Sequence, residues 1–156
     1  MNLKDFIRSH SDDIDMSNDR IVSTTISRME EAMSCKFGSQ LKAYILNYGY
    51  LGYKHIEFCG INSKQLEKSD MVKQTIALHK RDDSTNGYTV LESQGDGFYI
   101  LVDSKDTVSE YDEHNGKITS TGKKLNDYIL SRFGGDNKDI KESSYLDKIV
   151  FESVII

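Results

Sequence analysis

A thiol, an imidazole and a carboxylate stand at alternate positions in His55, Glu57 and Cys59. On a helix, the four-residue spacing of His55 and Cys59 would let both reach one metal ion. With Glu57 added, the same groups are a nucleophile, a base and a group to orient the base. The surrounding stretch Tyr53–Cys59 reads instead as a strand. Tyr53, His55, Glu57 and Cys59 would then share one face, with Ile56 and Phe58 on the other, and thiol and imidazole would lie about 13 Å apart. Two cysteines and four histidines in the whole chain supply no four-ligand spacing. The expectation is therefore no catalytic residue, no metal and no cofactor. Cys35 and Cys59 fit free buried thiols, with a disulfide between them as the alternative.

Two further patterns invite chemistry and lack its remaining parts. Gly95-Asp96-Gly97 is glycine-rich, but no Gly-Lys-Ser/Thr follows and the next element reads as a strand, whereas a phosphate loop opens a helix. Glycines at positive φ in a hairpin account for it. Asp103, Asp106, Asp112 and Asn115 lack the spacing of a calcium loop. What remains is an acidic run: Asp82, Asp83, Asp96, Asp103, Asp106, Glu110, Asp112 and Glu113. These eight are either a solvated sheet edge or a surface for a basic partner. Tyr99 and Tyr111 would add aromatic contact area if they point outward, or belong to the core if they do not.

Composition narrows the classes. Among 156 residues, 20 Lys and Arg stand against 25 Asp and Glu, a formal charge of -5. That argues against nucleic acid as a partner, because phosphate contacts need a basic face. No apolar run is long enough to span a membrane, and the opening MNLKDFIRSHSDD lacks the apolar segment of a signal peptide, so a cytoplasmic location is expected. The length suits one domain over 1–156, with no internal repeat or linker. Oligomeric state is open. Proline is absent, where about eight would be usual at ~5%. Turns must rest on Gly, Asn, Asp and Ser.

The elements that would position these residues centre on Tyr88–Lys117. Tyr88–Leu91 and Phe98–Val102 are β-prone runs joined by Ser93–Gly97. Val108–Asp112 follows, then Asn115-Gly116 and a fourth short run at Lys117–Thr119. This is an antiparallel meander. Around it, residues 2–10 read as a short helix. A second helix, capped by Ser17, presents Ile21/Val22, Thr25/Ile26, Met29 and Met33, with Arg28, Glu30 and Glu31 turned away. A third starts at Ser39 and ends at Gly49. A fourth spans Ser63–Lys80, with Ser69 a candidate cap, and a fifth follows Ser120 or Thr121 to Phe133. The tail Tyr145–Ile156, ending IVFESVII, is expected to pair with a sheet edge or cover the core, since an exposed β-prone end invites aggregation. The fold class is α+β, with a mainly antiparallel sheet and helices packed around it.

In order and spacing, Ile26–Gly49 resembles the opening of the SUKH superfamily, which holds bacterial toxin-immunity proteins and fungal cell-wall-assembly regulators. The resemblance rests on Glu30 or Glu31, Phe37-Gly38, Leu41, Tyr44 and Tyr48-Gly49. It continues in Gly95-Asp96-Gly97-Phe98, Leu101-Val102-Asp103, Val108–Asp112 and the helix Lys124–Phe133, covering about 20–133. The residues from 136 to 156 form an extension outside it. Phe37-Gly38 stands where that family commonly has Leu-Pro. Within the superfamily the chain is most similar to YobK-type antitoxins, immunity partners of LXG ribonuclease toxins. The resemblance implies a non-catalytic antitoxin that occupies a basic nuclease domain. The alternative it implies is an intracellular regulatory scaffold.

Overall fold

The computed structural model describes residues 1–61 and 67–135. They form an α+β fold of five α-helices and two antiparallel sheets, one of three strands and one of four. The described chain divides into two compact units: Ser11–Leu125, and Met1–His10 together with residues 126–135. The tail expectation falls outside the described residues.

In the smaller unit, helix α1 (Leu3–Ser9) is capped by Asn2, whose side chain accepts from Asp5 N–H at 2.8 Å. Its apolar positions Leu3, Phe6 and Ile7 are buried. Helix α5 (Leu125–Phe133) returns Phe133 to Phe6, ring centroids 6.0 Å apart, and stops at Gly134, φ +88°.

The larger unit begins with strand β1 (Ile14–Met16) and helix α2 (Ser23–Met33). Ser17 does not cap this helix. Its hydroxyl accepts from Asp19 N–H at 3.0 Å, and the helix begins beyond β-branched Val22, which is extended. Ile26, Met29 and Met33 form the buried stripe; Val22 is exposed. Helix α3 (Ser39–Tyr48) buries Leu41, Tyr44 and Ile45 and ends at Gly49, φ +75°. Gly38, not Ser39, occupies its cap position.

Tyr53–Cys59 is not one strand. Strands β2 (Leu51–Tyr53) and β3 (Ile56–Phe58) pair antiparallel around the two-residue turn Lys54-His55, with Tyr53 opposite Ile56. Lys54 sits at φ +56°, a conformation a lysine rarely adopts and which no local residue announces. The four alternate residues therefore do not share a strand face, and His55 lies exposed in a turn. β1 completes the small sheet beside β2.

Helix α4 (Met71–Arg81) is capped by Asp70, which accepts from Lys73 N–H at 3.0 Å. Ser69 ends a short 3₁₀ turn instead, and Ser63–Leu66 lies outside the described residues. Buried Thr75 on α4 accepts from Val90 N–H at 2.9 Å, joining the helix to the large sheet.

That sheet runs in chain order through β4 (Thr89–Gly95), β5 (Phe98–Val102), β6 (Thr107–Asp112) and β7 (Lys117–Lys124). The meander is present with four strands. Asp96 (φ +55°) and Gly97 (φ +84°) form a two-residue turn of the hairpin-matching hand, so β4 runs on to Gly95 and the connection is tighter than five residues. β7 is longer than Lys117–Thr119. Thr121 caps no helix; it donates to Val108 O at 2.7 Å within β7, and Gly122 (φ +77°) kinks the strand there. Cys59 N–H donates to Leu91 O at 2.6 Å, linking the end of β3 to β4. Leu51, Phe58, Met71, Leu78, Leu91 and Leu101 are fully buried in this unit. At about 1.5–3 kcal/mol for each large apolar side chain, they dominate its cohesion.

Candidate partner-binding surface

At the end of α4, Arg81 reaches across to the large sheet. Its Nε donates to Glu113 at 2.6 Å and a terminal nitrogen donates to the Tyr99 hydroxyl at 2.7 Å. The next residue, Asp82, accepts from the Tyr111 hydroxyl at 2.5 Å and from Ser84 N–H at 2.9 Å. That hydroxyl, followed by Ser84, holds the Asp82 carboxyl below its usual range. Tyr111 is buried and belongs to the core, its phenol pushed up by burial and by Asp82; Tyr99 is half-exposed. Asp112 accepts from both the backbone N–H and Nδ1 of His114, each at 2.9 Å, which lowers its carboxyl and fixes the β6–β7 turn.

The eight acidic residues thus have different tasks. Asp96, Asp112 and Glu113 gather at one end of the sheet, and Asp82 lies beside the β6–β7 turn at Gly116. Asp103 and Asp106 lie in the β5–β6 turn at the other end, about 16 Å away along a five-residue strand. Asp103 accepts from Lys105 and Thr107 N–H and shapes that turn. Asp106 is 6% exposed and faces inward: its carboxylate accepts from Gln40 N–H at 3.0 Å and Leu41 N–H at 2.9 Å, capping α3 from 65 residues away. Asp83, Asp96 and Glu110 are exposed, and their side chains have no partner among the described residues.

Glu110 lines a cavity of about 400 Å³ on the sheet face, with Phe98, Gln94, Asp112, Lys117 and Thr119. Phe98 is the notable member, an aromatic ring left 43% exposed.

Both thiols are buried. Cys59 is 1% exposed, and burial first, then the Glu92 carboxylate, pushes its thiol up to about 12 from 9.0. Native protein should resist iodoacetamide near neutral pH and become reactive on unfolding, as mass spectrometry of the alkylated protein will report. The pH dependence has a definite sign. Between about 9 and 12 the unfolded thiol has lost its proton and the folded one has kept it, so rising pH favours unfolding, by at most about 1.4 kcal/mol per pH unit. Alkaline melts should show this slope, reduced in Cys59→Ala.

Sequence reading missed a second pairing. Cys35 Sγ lies 3.8 Å from His79 Nε2, but both point at the same carbonyl, Tyr88 O, at 3.4 and 2.8 Å. A carbonyl only accepts, so Nε2 carries its proton there and cannot take the thiol's. Burial pushes the Cys35 thiol up as well. The pair is 44 residues apart in sequence, and no local spacing signals it. No group of three metal-ligating side chains occurs among the described residues, and no helix there is long and apolar enough to cross a membrane.

The residues that carry the family resemblance have structural tasks. Glu30 does not simply face solvent; its carboxylate accepts from Phe37 N–H at 2.7 Å, closing the break between α2 and α3. Gly38 leaves room for Asp106, whose carboxylate would lie 2.4 Å from any Cβ there. Tyr44 donates to Cys59 O at 2.7 Å and accepts from Leu51 N–H at 3.2 Å, binding α3 to both strands of the β2–β3 hairpin region. A comparison with family profiles matches the SMI1-KNR4 cell-wall family over residues 3–134. The chain belongs to this SUKH family. The match begins earlier than the resemblance read from about residue 20, taking in α1. No curated protein matches the chain. In this SUKH chain, the family-like positions Glu30, Gly38 and Tyr44 all serve backbone geometry, so they identify the fold without naming a partner.

Proposed function

We propose that this SUKH protein is a non-catalytic immunity protein that binds and neutralises a cognate nuclease toxin in the cytoplasm, with a ribonuclease domain of the LXG type as the target and YobK-type antitoxins as its nearest functional counterparts. Membership of the SMI1-KNR4 family over residues 3–134 carries this reading, because immunity proteins that act by protein–protein contact are among its members. The charge of -5 supports it: a nuclease cleft must attract phosphates, and carboxylates can occupy that field instead. A regulatory scaffold is the second reading, favoured by the cell-wall regulators that give the family its description.

The test is capture of partners from the native host by co-purification, followed by titration of the captured toxin's ribonuclease activity. The expected result is one-to-one inhibition, with an association rate that falls about tenfold from ~0.01 to ~0.5 M salt. Charge reversal must avoid residues that hold the fold. Asp112 and Glu113 are bound to His114 and Arg81, so reversing them would disturb the β6–β7 turn as well as any interface. Glu110→Lys combined with Asp83→Lys removes only unpartnered surface charge and should weaken inhibition while leaving the thermal melt unchanged. Capture of cell-wall or signalling proteins without a nuclease would favour the scaffold.

A further inference from the structure

The cavity lies at the Phe98 end of one face of the large sheet, among acidic residues. Cross-strand pairing sets its layout: Phe98 is opposite Asp112, which is opposite Lys117, and in the next row Glu110 is opposite Thr119. Gln94, near the end of β4, Asn115, in the β6–β7 turn, and the flanking Tyr99 and Tyr111 also line it. Neighbours along this face such as Ile100 and Val108 are buried, whereas Phe98 keeps 43% of its surface in solvent. His114 approaches one side of the Phe98 ring, centroids 5.6 Å apart. Asp112 is occupied by His114, and the Gln94 amide donates to Glu92 at 3.1 Å. The Glu110 carboxylate remains without a partner among the described residues.

We infer that this cavity is the seat for an arginine side chain presented by a basic protein partner. This deepens the immunity reading and rests on it for the identity of that partner, but the chemistry is local. An exposed phenyl ring beside an unpaired carboxylate matches the two faces of a guanidinium, which stacks on aromatic rings and donates in its own plane. Lysine offers no planar face and holds its hydration more tightly, so it is the poorer fit. The lining carries two carboxylates, Glu110 and Asp112, against the one ammonium of Lys117, and the chain as a whole is negative. An anionic occupant is therefore disfavoured. A second copy of this chain would bring like-charged surfaces together. The volume of about 400 Å³ accommodates one long side chain with its flanking backbone.

Titration of the full chain with acetyl-Gly-Arg-Gly-amide, followed by ¹H–¹⁵N correlation spectra, tests this without any toxin. Saturable shifts are expected at Phe98, Glu110 and Thr119, with the lysine analogue binding about three- to fivefold more weakly and the glutamate analogue not at all. Phe98→Ala and Glu110→Gln should each weaken the arginine peptide by about the same factor, with melts confirming that both variants are folded. Equal shifts with arginine and lysine, insensitive to either substitution, would overturn the inference by reducing it to general charge attraction. Concentration-dependent shifts at these positions without peptide would also overturn it, in favour of self-association. A toxin that is inhibited normally by Phe98→Ala would leave the immunity reading intact and remove this cavity from it.

Discussion

Gly60→Ala is expected to leave the protein largely unfolded. A Cβ on Gly60 would lie 1.8 Å from Gly49 O and 2.8 Å from both Gly49 C and Tyr50 Cα, all backbone atoms. None can swing aside as a side chain would. Gly49 O is already fixed, accepting from Ile61 N–H at 2.9 Å, while Gly60 donates to Ser69 O and accepts from Met71 N–H, both at 3.1 Å. Relieving the overlap would break this seam between the end of α3, the exit of β3 and the start of α4. A cost above about 4 kcal/mol is expected, a large part of an ordinary domain's total. Gly52→Ala is the control: its Cβ would meet nothing closer than 3.5 Å and should change stability by less than about 1 kcal/mol. Circular-dichroism melts and urea titrations of the two variants decide the matter. A cooperative Gly60→Ala protein with near-native stability would show that the backbones need not approach so closely.

Asp106→Ala should have the next largest effect, about 2–3 kcal/mol. The substitution removes both acceptors at the start of α3, leaving Gln40 and Leu41 N–H unsatisfied, and Leu41 is fully buried. Asp106→Asn keeps one carbonyl acceptor and should fall between Ala and the wild type. Gly38→Ala should resemble Asp106→Ala, because its Cβ would displace the same carboxylate. Amide hydrogen exchange supplies the specific signature: Gln40 and Leu41 should exchange faster in all three variants, out of proportion to the loss of global stability.

That long-range cap illustrates what the sequence could and could not reveal. The β4–β7 meander was legible because β-prone runs alternate with Gly-Asp-Gly and Asn-Gly, signals carried within a few residues. The helical stripe Ile26–Met29–Met33 was legible for the same reason. The caps were not. Ser17, Ser39, Ser69 and Thr121 are all good cap types, yet the caps are Val22, Gly38, Asp70 and a strand continuing past Thr121, since propensity names suitable residues without choosing among neighbours. The β2–β3 turn depends on Lys54 in a left-handed conformation, against its own preference. The acidic run was visible as a cluster in sequence, but a side chain's partner is not. Asp106 is committed to α3, Glu113 to Arg81 and Asp82 to Tyr111, while nothing in the local sequence marks Phe98 as exposed.

The kink in β7 bears on behaviour at high concentration. Among the described residues β7 is the last strand of the large sheet, and an outermost strand can template another chain along its backbone edge. Here the pairing register with β6 slips between Thr107 and Ser109, opposite Gly122, so only the first half of the strand offers a straight edge. Lysines at 117, 123 and 124 line that half and the kinked remainder. Two copies meeting along β7 would bring these positive charges together on a bent ribbon. Fibrous stacking through this edge is thus discouraged by shape and by charge at once, so crowded solutions of the protein should stay free of it.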